Sequence, residues 1–200
     1  MNYYHDLITE KSWKMLQQLK RRHQFIVIGG WAVYLYTKAL KSRDIDFICS
    51  YEELKKFKDR YELIKNDRLK KYEIHMGEFD VDIYVPYFSD LGIPAEDLGK
   101  MTRSVEGFTV LAPEPLLLLK QRAYADRKGS AKGEKDKIDI LSLVREAVDI
   151  KKYCKLLDKF SQKNLKKMLV ELLKETREVP ELGLGEHAYS KLRIRVLEQL

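Results

Sequence analysis

The sequence predicts an α/β (α+β) protein whose mixed first half is followed by an all-helical second half. Three observations point to it. As far as Pro113, short apolar runs bounded by Gly, Pro or charged residues alternate with helical stretches. Two of those runs, Asp44–Cys49 and Phe79–Val85, alternate aspartates with apolar residues, the period of a strand with one polar face. Beyond Pro113 the apolar residues recur at helical spacing alone. The expected division falls there, giving domains over residues 1–112 and 113–200.

In chain order, residues 6–22 read as a helix closed by Lys20-Arg21-Arg22, since cations favour a helix C-terminus. Phe25–Ile28 is a short buried strand, Gly29-Gly30 the turn after it, and Trp31–Tyr36 a helix packed back on the sheet. Asp44–Cys49 is the second strand and Glu52–Phe57 a short helix. Tyr72–His75 and Phe79–Val85 form a hairpin through Met76-Gly77-Glu78, closed by Pro86. Phe108–Leu111 is a further strand.

Glu114–Ala125 then begins the helices, with Pro113 or Pro115 suited to its first turn. Gly129–Gly133 reads as a flexible break, followed by helices over Glu134–Ala147, Ile150–Phe160 and Leu165–Thr176. Leu165, Met168, Leu169, Leu172 and Leu173 share one face of the last of these. Pro180, Gly183 and Gly185 mark a loop before a final helix.

Two hundred residues, 44% hydrophobic and 34% charged, describe a globular chain long enough to bury a core. No apolar run approaches the roughly 20 residues of a membrane span, and the N-terminal residues lack a signal-peptide pattern. Cys49 and Cys154 are too far apart for metal spacing, so a cytoplasmic setting is expected. The formal net charge is +7, and residues 151–200 hold 12 Lys/Arg against 7 Asp/Glu. That balance suits a polyanion such as nucleic acid, or equally a solvated lysine-rich surface.

The chemistry is concentrated in Phe25-Ile26-Val27-Ile28-Gly29-Gly30 and Arg43-Asp44-Ile45-Asp46-Phe47-Ile48. Side chains at i and i+2 of a strand point the same way, so Asp44 and Asp46 are about 6–7 Å apart on one face. At an effective dielectric near 20, that spacing costs about 2–3 kcal/mol of repulsion. A divalent cation offsets it, and hard oxygen ligands of this kind suit magnesium with substrate phosphates. In Phe79-Asp80-Val81-Asp82-Ile83-Tyr84-Val85, Asp80 and Asp82 share the face opposite the apolar residues. Alone, such a strand reads as merely half solvated.

Gly29-Gly30, a thirteen-residue gap, Asp44-Ile45-Asp46 and a later Asp-bearing strand together resemble the nucleotidyltransferase superfamily of DNA polymerase β type. Gly29-Gly30-Trp31-Ala32-Val33 and Ser42–Phe47 are most similar to its prokaryotic AbiEii-toxin-like group, whose members often carry Thr where Ser42 stands. The motif covers residues 25–85. The resemblance implies a nucleotidyltransferase-fold mixed sheet with flanking helices and a C-terminal helical domain.

It further implies that glycines let backbone N–H groups approach a triphosphate. Asp44 and Asp46 would ligate magnesium, and a third acid would help hold a second ion and deprotonate the acceptor hydroxyl. Asp82 fits that third position better, with Asp80 as the alternative. Ser42 is a candidate phosphate contact or a turn residue. Lys120 and the run Lys135-Asp136-Lys137-Ile138-Asp139 are similar to a Lys and a Lys-Asp pair of the relatives, making Lys120 and Lys137 candidate nucleotide contacts. The same residues, with Arg122 and Arg127, also read as a charged helix face. His5, His23, His75 and His187 form no metal motif.

The expected activity is transfer of a nucleoside monophosphate from a nucleoside triphosphate to a hydroxyl, with two magnesium ions and release of pyrophosphate. Transfer RNA or another nucleic acid is the acceptor in a toxin-like role, with an antitoxin as partner. Alternatives are a small-molecule or protein acceptor, or an inactive nucleotide-binding module. The apolar helices over 150–176 offer a surface for a homodimer, and no membrane is involved.

Overall fold

A computed structural model describes the backbone of residues 2–200 and the side chains from Asp6 onward. The side chain of His5 therefore lies outside the described residues. The chain divides into two compact units, Met1–Ala112 and Pro113–Leu200.

The first unit is built on a mixed sheet of seven strands among the described residues. In chain order these are β1 (Ile26–Ile28), β2 (Ile45–Ile48), β3 (Ile64–Asn66), β4 (Lys71–His75), β5 (Asp80–Tyr84), β6 (Thr102–Val105) and β7 (Phe108–Leu111). Their spatial order is β3-β4-β5-β2-β1-β7-β6. The β2–β5 and β1–β7 pairs are parallel and the remainder antiparallel. Helices α1 (Asn2–Lys20), α2 (Gly29–Thr37), α3 (Tyr51–Lys58) and α4 (Ala95–Leu98) complete the unit.

Local chemistry explains the boundaries. Helix α2 is apolar almost throughout, so it forms only where it can bury most of its circumference: Trp31, Ala32, Val33 and Leu35 are all buried. The indole N–H of Trp31 donates to Ser12 Oγ at 2.8 Å, and its ring lies 4.9 Å from that of Trp13. Thus Trp31 is a core residue. Helix α3 is capped by Ser50, whose Oγ accepts from the Glu53 N–H. Strands β6 and β7 are joined by Glu106-Gly107, both at positive φ (50° and 72°), which matches the tight turn that right-twisted strands need. Phe47, Phe57, Val81 and Ile83 fill the core on the sheet's apolar side.

Two strands differ from expectation. Neither β3 nor β6 carries an apolar alternation, and both are the outermost strands of the sheet, largely exposed. The Gly29-Gly30 pair is also more than a turn, since α2 begins at Gly29 itself.

The second unit comprises α5 (Pro113–Arg127), α6 (Ala131–Glu146), α7 (Ile150–Lys159), α8 (Lys163–Glu175) and α9 (Glu186–Leu197), with a short 3₁₀ turn at Pro180–Leu182. The break expected over 129–133 is shorter than read. Ser130 caps α6 by accepting from the Gly133 N–H at 3.0 Å, so Gly133 is already helical. A side chain at Gly133 would collide with the backbone of Arg127, its Cβ only 2.9 Å from that carbonyl carbon. Asp149 caps α7 in the same way. Buried Tyr153 donates its hydroxyl to Gln121 Oε1, and Gln121 donates to the Leu165 carbonyl at 2.9 Å. Leu165, Leu169, Leu172 and Leu173 are buried within the chain. Among the described residues no helix is long and apolar enough to cross a membrane.

Candidate active site

The sheet register collects the acidic residues. Asp46 of β2 stands directly beside Asp82 of β5, and Asp82 stands directly opposite Glu73 of β4. Paired residues on neighbouring strands project to the same face, about 4.7–4.9 Å apart across the sheet. One rung of the sheet therefore carries Asp46, Asp82 and Glu73 in a row. Two residues along each strand, on the same face, lie Asp44, Asp80 and His75. The Asp80 N–H donates to Asp44 Oδ1 at 3.4 Å, tying the two acidic strands at their entrance.

The opposite face of these strands is the core, with Ile45, Phe47, Ile74, Val81 and Ile83 all buried. Alternation thus separates a packing face from a charged one, and the charged face is where the acids had to go.

Gly29 closes the site on the β1 side. Its φ is +65°, and a Cβ there would fall within the Asp46 side chain, 2.6 Å from Cγ and 2.8 Å from Cβ. Glycine is required on both counts. The arrangement brings the Asp46 carboxylate against the first residue of α2, where the helix dipole favours negative charge. Ser42 is buried in the loop that leads into β2.

A lysine missed in the sequence stands among the acids. Lys71 Nζ donates to Asp82 Oδ2 at 2.6 Å and lies 2.8 Å from Glu73 Oε1. All three side chains are largely enclosed, at 12%, 17% and 16% exposure. Burial alone would lower the Lys71 pKa, yet its bonds to Asp82 and Glu73 outweigh that and raise it. The Glu73 carboxyl is held below its ordinary value, mainly by its bond to Lys71. Burial pushes Asp82 up, reinforced by Glu73 and Asp44 and only partly countered by Lys71. Asp80 is more exposed and pairs with His75 at 2.8 Å, which raises the imidazole pKa. Arg43 Nε donates to Asp44 Oδ1 at 3.1 Å.

Five carboxylates share this face with Lys71, Arg43 and His75, and such a face could hold a cation. Two carboxylates about 5 Å apart repel by about 3 kcal/mol at an effective dielectric of 20. Hard oxygen donors fit magnesium. Among the described residues, however, no three His, Cys, Asp or Glu side chains are placed to hold one ion together. Asp82 is drawn to Lys71 and Asp44 to Arg43. Asp44 and Asp46 are the residues that could share a cation.

Lys120 and Lys137 belong to the second unit. Lys120 is buried, with Nζ 3.2 Å from Asp136 Oδ1 and 2.6 Å from Asp139 Oδ2. Arg127 reaches Asp136 at 2.7 Å and Lys135 reaches Asp139 at 3.2 Å, so these five residues form one ion cluster around the buried Lys120, Asp136 and Asp139. Lys137 is outside that cluster and faces Glu134 at 4.0 Å. Arg122 is likewise apart, donating to Gln162 Oε1.

With this geometry in view, solved structures provide a comparison. A protein from H. pylori described as a candidate nucleotidyltransferase matches at a TM-score of 0.50 and 18% identity, covering 97% of this chain and 97% of its own. This is a nucleotidyltransferase-like fold. JHP933 from Helicobacter pylori matches over 96% of this chain and 94% of its own, at 16% identity and a TM-score of 0.49. An antigenic nucleotidyltransferase-like protein from Paracoccidioides brasiliensis matches over 70% and 76%, at 17% identity and a TM-score of 0.38. No protein-family model matches the sequence, and no curated protein does.

Proposed function

We propose that the chain is a magnesium-dependent nucleotidyltransferase that moves a nucleoside monophosphate from a nucleoside triphosphate to an acceptor hydroxyl. The observation that carries this reading is the placement of Asp46 between Gly29 and Asp82. A carboxylate pressed against a glycine-initiated helix, with a second acid beside it, offers ligands for a cation and N–H donors for phosphate within one strand spacing.

In that reading Gly29 and Gly30 open α2 so that its N-terminal N–H groups receive phosphate oxygens. Asp44 and Asp46 would hold magnesium, which supplies positive charge where charge builds on the phosphate being transferred. Asp82 takes the proton of the acceptor hydroxyl. The hydroxyl oxygen then forms a bond to the α-phosphorus, the bond to the bridging oxygen breaks, and pyrophosphate leaves. Burial and its acidic neighbours make Asp82 a better proton acceptor than an open carboxylate.

An RNA acceptor is supported by the exposed lysines of the helical unit, Lys151, Lys152, Lys155 and Lys159 on α7 and Lys163, Lys166 and Lys167 on α8. Phosphate contacts of that kind make affinity fall steeply with salt. The toxin-like form of the reading rests on the resemblance of Gly29–Val33 and Ser42–Phe47 to the AbiEii group.

The test is incubation of the purified chain with each α-labelled triphosphate, magnesium and a total RNA pool. Label in RNA with release of pyrophosphate is expected. Absence of label from RNA, protein and small-molecule fractions alike, with every triphosphate, overturns the enzymatic reading.

A further inference from the structure

Lys71 is a cation built into the acidic face. It precedes Glu73 by two residues on β4, so both side chains rise from the same side of the strand. The register sets Glu73 opposite Asp82, and the Lys71 ammonium bonds both carboxylates at 2.6 and 2.8 Å. Only 12% of the lysine side chain is exposed, so its four-carbon stem is covered and the ammonium has little freedom to swing into solvent. One carboxylate oxygen of Asp82, Oδ2, is already bonded to a fixed positive charge.

Resting on the nucleotidyltransferase reading, we propose that the Lys71 ammonium stands in for one of two metal ions. The site then takes a single divalent cation at Asp44 and Asp46, while Lys71 supplies the second positive charge at Asp82 and Glu73. An ammonium held by the chain is a point charge with three donors, suited to bridging two carboxylates without octahedral geometry. Lys71 acts here through Asp82, as a positioning residue.

The test counts Mn²⁺ ions bound per chain from the electron paramagnetic resonance signal of the free ion, using the full chain without nucleotide. One ion is expected for the wild type and for Lys71→Arg, which keeps the charge. Two are expected for Lys71→Met. The melting temperature of Lys71→Met is expected to drop in chelator and to recover with Mn²⁺, because the added ion replaces the missing ammonium. Recovery no greater than that of the wild type overturns the proposal. Two ions on the wild type also overturn it while leaving metal-dependent transfer intact, and this count does not depend on the variant folding. A wild type that binds no Mn²⁺ overturns both.

Discussion

Gly29 and Asp46 occupy space that neither could share with a larger neighbour: a Cβ at Gly29 would lie 2.6 Å from the Asp46 Cγ. Positive φ at Gly29 adds a second reason for glycine, as any L side chain is strained there. Gly29→Ala should therefore cost about 1–3 kcal/mol of stability, as strained positive-φ positions do, and should displace the Asp46 carboxylate. Urea unfolding reads the first effect, and loss of magnesium-dependent nucleotide binding reads the second. A variant with unchanged stability and binding would refute the close approach.

The two aspartates of β5 are separable by substitution. Asp82→Asn is expected to lower turnover by about 100-fold or more, the range of a lost proton acceptor. The Asp80–His75 pair is partly exposed and screened by solvent, so Asp80→Asn should change turnover by less than about tenfold. Single-turnover transfer rates decide between them, with circular dichroism confirming the fold. Equal losses in both variants would remove the distinction drawn from the register.

Lys120 gives a stability prediction in the helical unit. Its ammonium is enclosed with Asp136 and Asp139, so Lys120→Met leaves buried carboxylates short of a partner. Breaking a buried pair in this way costs about 3–5 kcal/mol. Denaturant unfolding should show a loss of that order, whereas a loss below about 1 kcal/mol is what an exposed pair would give.

His75 offers a titration. Its bond to Asp80 raises the imidazole pKa above the ordinary 6.5. The ion pair thus contributes stability that is fully present below pH 6.5 and is lost as pH rises through the higher folded value. Nuclear magnetic resonance titration of the ring should show the elevated value, and Asp80→Asn should lower it toward the ordinary one. An unshifted midpoint in the parent chain would contradict the pairing.

Residues with strong periodicity announced their elements. The apolar alternation of Phe79–Val85 and Asp44–Cys49 marked β5 and β2, and the same alternation located both aspartate pairs. Strands β3 and β6 were illegible because edge strands with solvent on most sides need no apolar face. Lys71 and Glu73 were missed for a different reason. The run Lys71-Tyr72-Glu73 looks like any half-solvated strand, and only cross-strand register shows that Glu73 falls opposite Asp82. The spacing of Asp44, Asp46 and Asp82 was readable because it repeats within strands. Lys120 was visible as a charged helix residue, but its enclosure by Asp136 and Asp139 depends on how α5 packs on α6.

The most direct measurement is calorimetric binding of a non-hydrolysable nucleoside triphosphate to the wild type and to Asp46→Asn, each with and without magnesium. The acidic face beside Gly29 predicts that magnesium tightens binding to the wild type by about tenfold or more, a gain of at least 1.4 kcal/mol, and that Asp46→Asn loses this gain while staying folded. Equal affinity with and without magnesium in the wild type would contradict it.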